Sequence, residues 1–148
     1  GDDFMPNVKV SVKAHSESPT KIVAKAREFK MVVDEPKSSG GTNEGANPVE
    51  YLLTALAGCI NVVGHVVAKE MGIDIKNMEI DLEGDLNPAR FMGVSKTERA
   101  GFQEIRVKIK VDSDASEETL KNWLGTVEDR CPVNDNIAHS TPVKISLV

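Results

Sequence analysis

Apolar and polar residues alternate along three parts of the chain, a pattern that predicts strands with one buried face. Residues 7–35 form the first part, in which the turn-rich sequence SESP at 16–19 separates the two strands of a predicted hairpin. The second part, residues 75–112, predicts another hairpin whose strands are joined by a long loop. A final alternating segment at 142–148 predicts a strand at the end of the chain.

The alternation stops at residue 47, where a long helix over residues 47–71 is predicted instead. Asn47 suits the N-cap, Glu50 stands where a capping-box carboxylate reaches back, and Gly72 is typical of the position that ends a helix. Residues 51–68 carry no formal charge. Such a segment is at the lower length limit for a membrane span. The polar residues inside it favour a buried core helix, and no membrane association is expected.

A second helix is predicted over residues 116–130, because Ser116 is a good N-cap and acidic residues follow it in the first turn. The resulting order is two strands, a long helix, two strands, a helix and a strand. This order indicates one α+β domain over residues 1–148, since alternating strand and helix units of a parallel sheet are missing from it.

Composition and charge restrict the classes of function. The formal net charge is −5 and aromatic residues make up only 4%, so neither a basic surface nor stacking platforms for nucleic acid are expected. The opening residues lack the apolar stretch of a secretory signal. Two cysteines in a chain without such a signal fit a reducing compartment, and the cytoplasm is the expected location.

The two cysteines, Cys59 and Cys131, are the chemically distinctive residues. No CxxC or HxxxH spacing occurs, and His65 lies six residues after Cys59, about 240° around a helix, so no metal site is predicted. Cys59 alone is compatible with a packed core residue or with a reactive thiol. Cys131 stands between a charged helix end and Pro132, at a junction that could bring it to a partner.

The sequences NPVEYLLTALAGC, ending at Cys59, and VEDRCPVND, around Cys131, resemble the osmotically inducible protein and organic hydroperoxide resistance family (OsmC/Ohr). The resemblance extends to DEP and GG before the long helix and to GFQEIR after it. It implies an OsmC-like fold, with antiparallel sheets packed around a long buried central helix. It also implies an intertwined homodimer whose active sites use residues of both subunits.

The resemblance further implies a cysteine-based peroxidase that reduces organic hydroperoxides without a cofactor. Cys59 would be the thiolate that attacks the peroxide, with its pKa lowered by a nearby guanidinium. Cys131 would convert the resulting sulfenic acid to a disulfide before further oxidation. A dithiol would then reduce the disulfide, and the apolar wall of the helix would hold the organic tail of the substrate.

The catalytic Arg and Glu of the family are matched less closely. The family's Glu occupies the position of Val49, whereas the carboxylate here is Glu50, about half a turn away from Cys59 around the helix. Glu50 is therefore a candidate for a helix cap as well as for a catalytic partner. Arg27 is the only arginine before the helix and is the candidate for the guanidinium; its alternative is a solvated strand residue.

A second hypothesis is a non-enzymatic OsmC-like dimer that binds an apolar small molecule in the same slot, with both thiols structural. Slow thiol labelling and no peroxide-driven disulfide would favour this alternative. Labelling of Cys59 well below the ordinary thiol pKa would favour the peroxidase.

Overall fold

A computed structural model describes residues 5–148, and the chain divides into two compact units between Leu52 and Leu53. We call these the N-terminal unit and the C-terminal unit and describe each by itself. The fold is α+β, with small antiparallel sheets and a long central helix, as the sequence predicts.

The N-terminal unit contains a three-stranded antiparallel sheet rather than the predicted hairpin. The second predicted strand is interrupted at Arg27 and Glu28, so that Ala26 pairs with Phe29 across a tight turn. Arg27 has φ 55°, which is the left-handed conformation that such turns require. The sheet order is β1-β2-β3, with strands β1 (Lys13–Ser16), β2 (Ile22–Ala26) and β3 (Phe29–Val33).

The segment between β3 and the long helix is held by a buried carboxylate, although its Gly, Ser and Asn content predicts a flexible connection. Asp34 is fully buried and accepts hydrogen bonds from the hydroxyl groups of Thr20 and Thr42. It also accepts hydrogen bonds from the backbone N–H groups of Glu35 and Glu44. These donors hold the pKa of Asp34 far below its usual range, with the Thr42 hydroxyl the largest cause.

The long helix α1 (Pro48–Met71) has the predicted ends. The backbone N–H of Asn47 donates to the Glu50 carboxylate at 2.8 Å, and the Glu50 N–H donates to the Asn47 side chain at 2.9 Å. This reciprocal pair is a capping box. Gly72 follows the helix with φ 71°, so the predicted stop is confirmed.

The C-terminal unit is built on an antiparallel pair of long strands, β4 (Asn77–Leu86) and β5 (Phe102–Asp112). Helix α2 (Glu117–Arg130) follows, and its Ser116 cap accepts from the Thr119 N–H as predicted. A further helix, α3 (Pro132–Ala138), replaces the turn-rich segment expected there. The core is formed by one face of α1, the apolar face of the strands and α2; its buried members include Leu56, Ile60, Val67, Trp123 and Val127.

Two segments predicted as strands have no sheet partner in the described residues 5–148. Residues 7–12, the start of the predicted first strand, and the predicted strand 142–148 are exposed and lie outside the sheets. A strand exists only where its backbone groups pair with a neighbour, so alternation alone is not sufficient. The prediction of strand structure for these segments within a single chain is therefore wrong.

Burial of α1 is limited to one face. Leu56, Ile60, Gly64 and Val67 are buried, whereas Val62, on the other side of the helix, is exposed. Among the described residues, α1 is the single helix that is long and apolar enough to cross a membrane. Its packing in the core of the C-terminal unit accounts for the apolar face equally well.

Candidate active site

The fold brings the two thiols of the chain together in the C-terminal unit. Cys59 lies at the middle of α1, next to the core residue Ile60. Cys131 joins α2 to α3 and belongs to the same buried cluster as Val127. Both cysteines are free, and the Cys131 thiol lies close enough to Cys59 to raise the pKa of its thiol. Cys131 is only 1% exposed, whereas Cys59 is half-buried. The more accessible sulfur is therefore that of Cys59.

Helix α3 adds a backbone donor that the sequence did not reveal. Pro132 begins the helix, and the backbone N–H of the next residue, Val133, lies near the Cys59 sulfur and acts to lower the pKa of that thiol. Prolines are common in the first turn of a helix, where the backbone N–H groups lack partners inside the helix. The sequence CPV at 131–133 indicates that a helix can begin there with an unpaired backbone N–H. Which atom lies next to that N–H depends on tertiary packing.

The pKa of the Cys59 thiol is raised in the described structure, whereas the family resemblance implies a pKa lowered by a nearby guanidinium. Burial is the largest cause, because it disfavours the charged thiolate, and the neighbouring Cys131 thiol adds to the effect. The Val133 N–H opposes both of these and is weaker. The surroundings of Cys59 in the C-terminal unit thus disfavour its thiolate form.

An apolar cavity of about 300 Å³ opens beside Cys131. Its walls come from α1, β5 and α2 and include Leu56, Ile60, Leu124 and Val127. Two polar residues, Glu128 and Asn134, also line it. The predicted apolar wall of the helix is thus part of a cavity, and the sulfur among its lining residues is that of Cys131.

The other two predicted site residues, Arg27 and Glu50, belong to the N-terminal unit. Arg27 occupies the turn between β2 and β3, with its guanidinium 4.9 Å from the centre of the Phe29 ring and 4.0 Å from the Glu28 carboxylate. Its side chain is 75% exposed. Glu50 forms the capping box with Asn47, so its alternative role as a cap is observed. A role for either residue at the thiols stays a prediction.

Residues 5–148 contain no cluster of three or more His, Cys, Asp or Glu side chains that could hold a metal ion. His65 lies on the long helix, where its Nδ1 is 2.8 Å from the backbone oxygen of Asn61. The chemistry visible in the C-terminal unit is accordingly that of the paired thiols.

Comparison with known sequences identifies the family. The sequence pattern of the OsmC-like proteins matches residues 41–146, which include both cysteines and the cap of α1. The chain belongs to the OsmC-like protein family.

Relatives of this OsmC-like protein agree with that assignment over nearly its whole length. A hydroperoxide reductase of Mycoplasma pneumoniae is 24% identical over 140 residues, which is 94% of each chain. The crystal structure of an OsmC-like protein from the same organism superposes with a TM-score of 0.80 at 21% identity and 91% coverage of both chains. An organic hydroperoxide resistance protein OsmC from Legionella pneumophila superposes with a TM-score of 0.67 at 16% identity, covering 90% of this chain and 91% of that one. At these identities the solved structures show the common fold.

Proposed function

We propose that the protein is a thiol peroxidase that reduces organic hydroperoxides, with Cys59 as the attacking thiol and Cys131 as the resolving thiol. The observation that carries the proposal is the proximity of two free thiols beside an apolar cavity. The name of the Mycoplasma relative, a hydroperoxide reductase, supports the same chemistry.

The reaction divides into three balanced steps. The Cys59 thiolate attacks the terminal oxygen of the hydroperoxide, which breaks the O–O bond, releases the alcohol after protonation and leaves a sulfenic acid. Cys131 then attacks the Cys59 sulfur as a thiolate, forming a disulfide and expelling hydroxide, which leaves as water after protonation. A dithiol reductant finally exchanges with the disulfide, is itself oxidised, and restores both thiols. No step needs a metal or an organic cofactor.

The assignment of Cys59 as the attacking thiol and Cys131 as the resolving thiol follows from their exposure. A peroxide must reach the attacking sulfur, and Cys59 is half-buried whereas Cys131 is buried almost completely. The Val133 N–H stabilises negative charge on the Cys59 sulfur, both in the attacking thiolate and when Cys59 leaves during reduction of the disulfide. Cys131 needs no access to solvent, because it reacts with a neighbour that it already contacts.

The raised pKa of Cys59 means that the proposed enzyme needs an additional positive group. We assign this role to Arg27, whose partners, the Phe29 ring and a Glu28 carboxylate 4.0 Å away, hold it weakly. Glu50 is proposed to orient the guanidinium while it caps α1. We further propose that the active form is an intertwined cytoplasmic homodimer.

Treatment of the reduced protein with one equivalent of cumene hydroperoxide tests the proposal. We expect the mass to fall by two hydrogen atoms as the disulfide between Cys59 and Cys131 forms. C59S should abolish peroxide consumption, and C131S should leave a sulfenic acid that a dimedone probe captures. Undiminished turnover by C59S would refute the assignment.

The assignment of Arg27 is tested by R27Q, with K30Q as a matched change of an exposed cation in the same sheet. If Arg27 lowers the pKa of Cys59, R27Q should shift the pH at which Cys59 is half-labelled upward and reduce kcat/KM by about tenfold or more. K30Q should change neither quantity. E50Q removes the charge and keeps an acceptor for the cap, so an effect of E50Q on this pH profile would indicate an electrostatic role for Glu50.

The raised pKa specifically favours a second candidate function, a non-enzymatic protein that binds an apolar small molecule. On this alternative both thiols are packing residues beside the cavity. It predicts that Cys59 labels only above the ordinary thiol pKa of about 8.5. It also predicts that one equivalent of peroxide produces no disulfide.

A further inference from the structure

The cavity beside Cys131 adjoins a second one. The second cavity has a volume of about 240 Å³, and four residues line both cavities: Leu56, Ile105, Val107 and Asn134. Because these residues form walls of both, the two cavities lie side by side on the C-terminal unit, and we call the pair the groove. The shared section is mostly apolar, which suits a hydrocarbon chain.

The two ends of this groove carry opposite charges. Glu128 lines the first cavity, which also contains Cys131, and Arg99 lines the second. Glu104 also lines the second cavity, but its carboxylate is 2.6 Å from the guanidinium of Arg106. The cavity that contains Cys131, which we call the sulfur end, therefore carries a carboxylate, and the second cavity carries the Arg99 cation.

Among the described arginines near the groove, Arg99 differs in having no partner for its charge within residues 5–148. Arg106 binds three carboxylates and Arg130 binds Glu70. Within residues 5–148, the Arg99 guanidinium makes no ion pair and no hydrogen bond. A free guanidinium at the end of an apolar groove is suited to an anionic headgroup, because it presents several N–H donors in one plane.

We propose that the groove binds the chain of an amphipathic ligand whose carboxylate pairs with Arg99. Glu128 fixes the orientation, since it repels an anionic headgroup from the sulfur end. The opposite end of the bound chain would then lie toward Cys131, the thiol that lines the first cavity and neighbours the attacking Cys59. The identification of this ligand as a hydroperoxide rests on the proposed function, whereas the binding of the chain and headgroup does not.

Calorimetric binding of decanoate and decanol to the reduced protein tests the proposal, because neither ligand reacts with thiols. We expect R99Q to weaken decanoate binding by about three- to fivefold, as an exposed charge pair warrants, and to leave decanol binding unchanged. K96Q is the matched control, since it removes an exposed cation from the same loop but does not line the groove. Added salt should erase the effect of R99Q.

The orientation of the ligand in the groove is tested by E128Q, with E118Q as the control in the first turn of the same helix. With the carboxylate at Arg99, E128Q should strengthen decanoate binding by less than R99Q weakens it, because Glu128 lies at the opposite end of the groove. A gain with E128Q that exceeds the loss with R99Q would place the headgroup at the sulfur end and overturn the orientation.

Three results would overturn the binding proposal itself: equal losses with R99Q and K96Q, an equal effect of R99Q on both ligands, or no binding of either ligand. A failure of the proposed peroxidase function can be distinguished from a failure of the binding proposal. A protein that binds decanoate through Arg99 but forms no disulfide with peroxide keeps the groove and loses the peroxidase. A protein that consumes peroxide but binds neither ligand keeps the peroxidase and loses the groove.

Discussion

The close packing of α1 against α2 makes a sharp prediction for Gly64. A Cβ atom at this position would lie 3.0 Å from Cζ2 of Trp123 and 3.6 Å from Cε of Met78. Trp123 is 2% exposed, and its Nε1–H donates to the backbone oxygen of Gly64 at 2.8 Å. The indole ring therefore cannot move away from a new methyl group without lengthening this hydrogen bond.

Two opposing effects determine the stability of G64A. Replacing glycine by alanine inside a helix contributes up to about 1 kcal/mol. Overpacking a tight core typically costs about 1–3 kcal/mol. Gly125 provides the control, because it lies inside α2 and a Cβ there meets nothing within 4 Å. G125A should receive the helix gain alone, so the free energy of unfolding of G64A should be about 1–3 kcal/mol lower than that of G125A.

Urea unfolding, followed by the fluorescence of the single tryptophan, measures both variants directly. The protein concentration must be equal, since association would change apparent stability. If G64A proves as stable as G125A, the indole has room to shift and the inferred tight contact between α1 and α2 is incorrect.

Three further predictions concern other contacts. W123F should lower the free energy of unfolding by about 1–3 kcal/mol, because it removes buried volume and a buried hydrogen bond; circular dichroism measures the loss. D34N should destabilise the protein at neutral pH. Since Thr42 and other donors depress the folded pKa of Asp34, its ionised form stabilises above the unfolded pKa of about 3.9. That stability is lost as the pH falls further, so the difference between D34N and the parent should narrow in urea titrations below about pH 4. R130Q should have a small effect that disappears in high salt, because the pair of Arg130 with Glu70 is exposed.

Each of these predictions has a contradicting result. Equal stability of W123F and the parent would mean that the indole hydrogen bond contributes nothing net. A constant penalty for D34N from neutral to acidic pH would show that shape, rather than charge, is what Asp34 supplies. A salt-independent loss in R130Q would indicate that the arginine acts through packing of its side chain.

Local features of the sequence were sufficient for the main helices and their ends. Asn47 with Glu50 and Ser116 with Thr119 form caps between neighbouring residues, so their chemistry does not depend on the rest of the fold. The alternation over β4 and β5 also predicts the observed face of the sheet, because a period of two is a property of the strand itself. The motifs around both cysteines indicated the family that residues 41–146 confirm.

Other features had no local signal. The turn at Arg27 and Glu28 interrupts an alternating segment without Gly, Asn or Asp, so nothing in the pattern marks it. Residues 142–148 have a strand pattern but no strand, because pairing requires a neighbour that the described chain does not offer. In both cases the result depends on which backbone groups meet.

The sequence by itself determined the helix boundaries, the alternating faces of the long hairpin and the presence of two thiols in family motifs. Only the tertiary structure decided that the Val133 N–H lies near the Cys59 sulfur, that burial raises the pKa of that thiol, and that Arg99 and Glu128 line adjoining cavities. The physical reason is that hydrogen bonding and desolvation depend on atoms that packing brings together from distant parts of the chain, whereas caps and periodicity depend on neighbours in sequence.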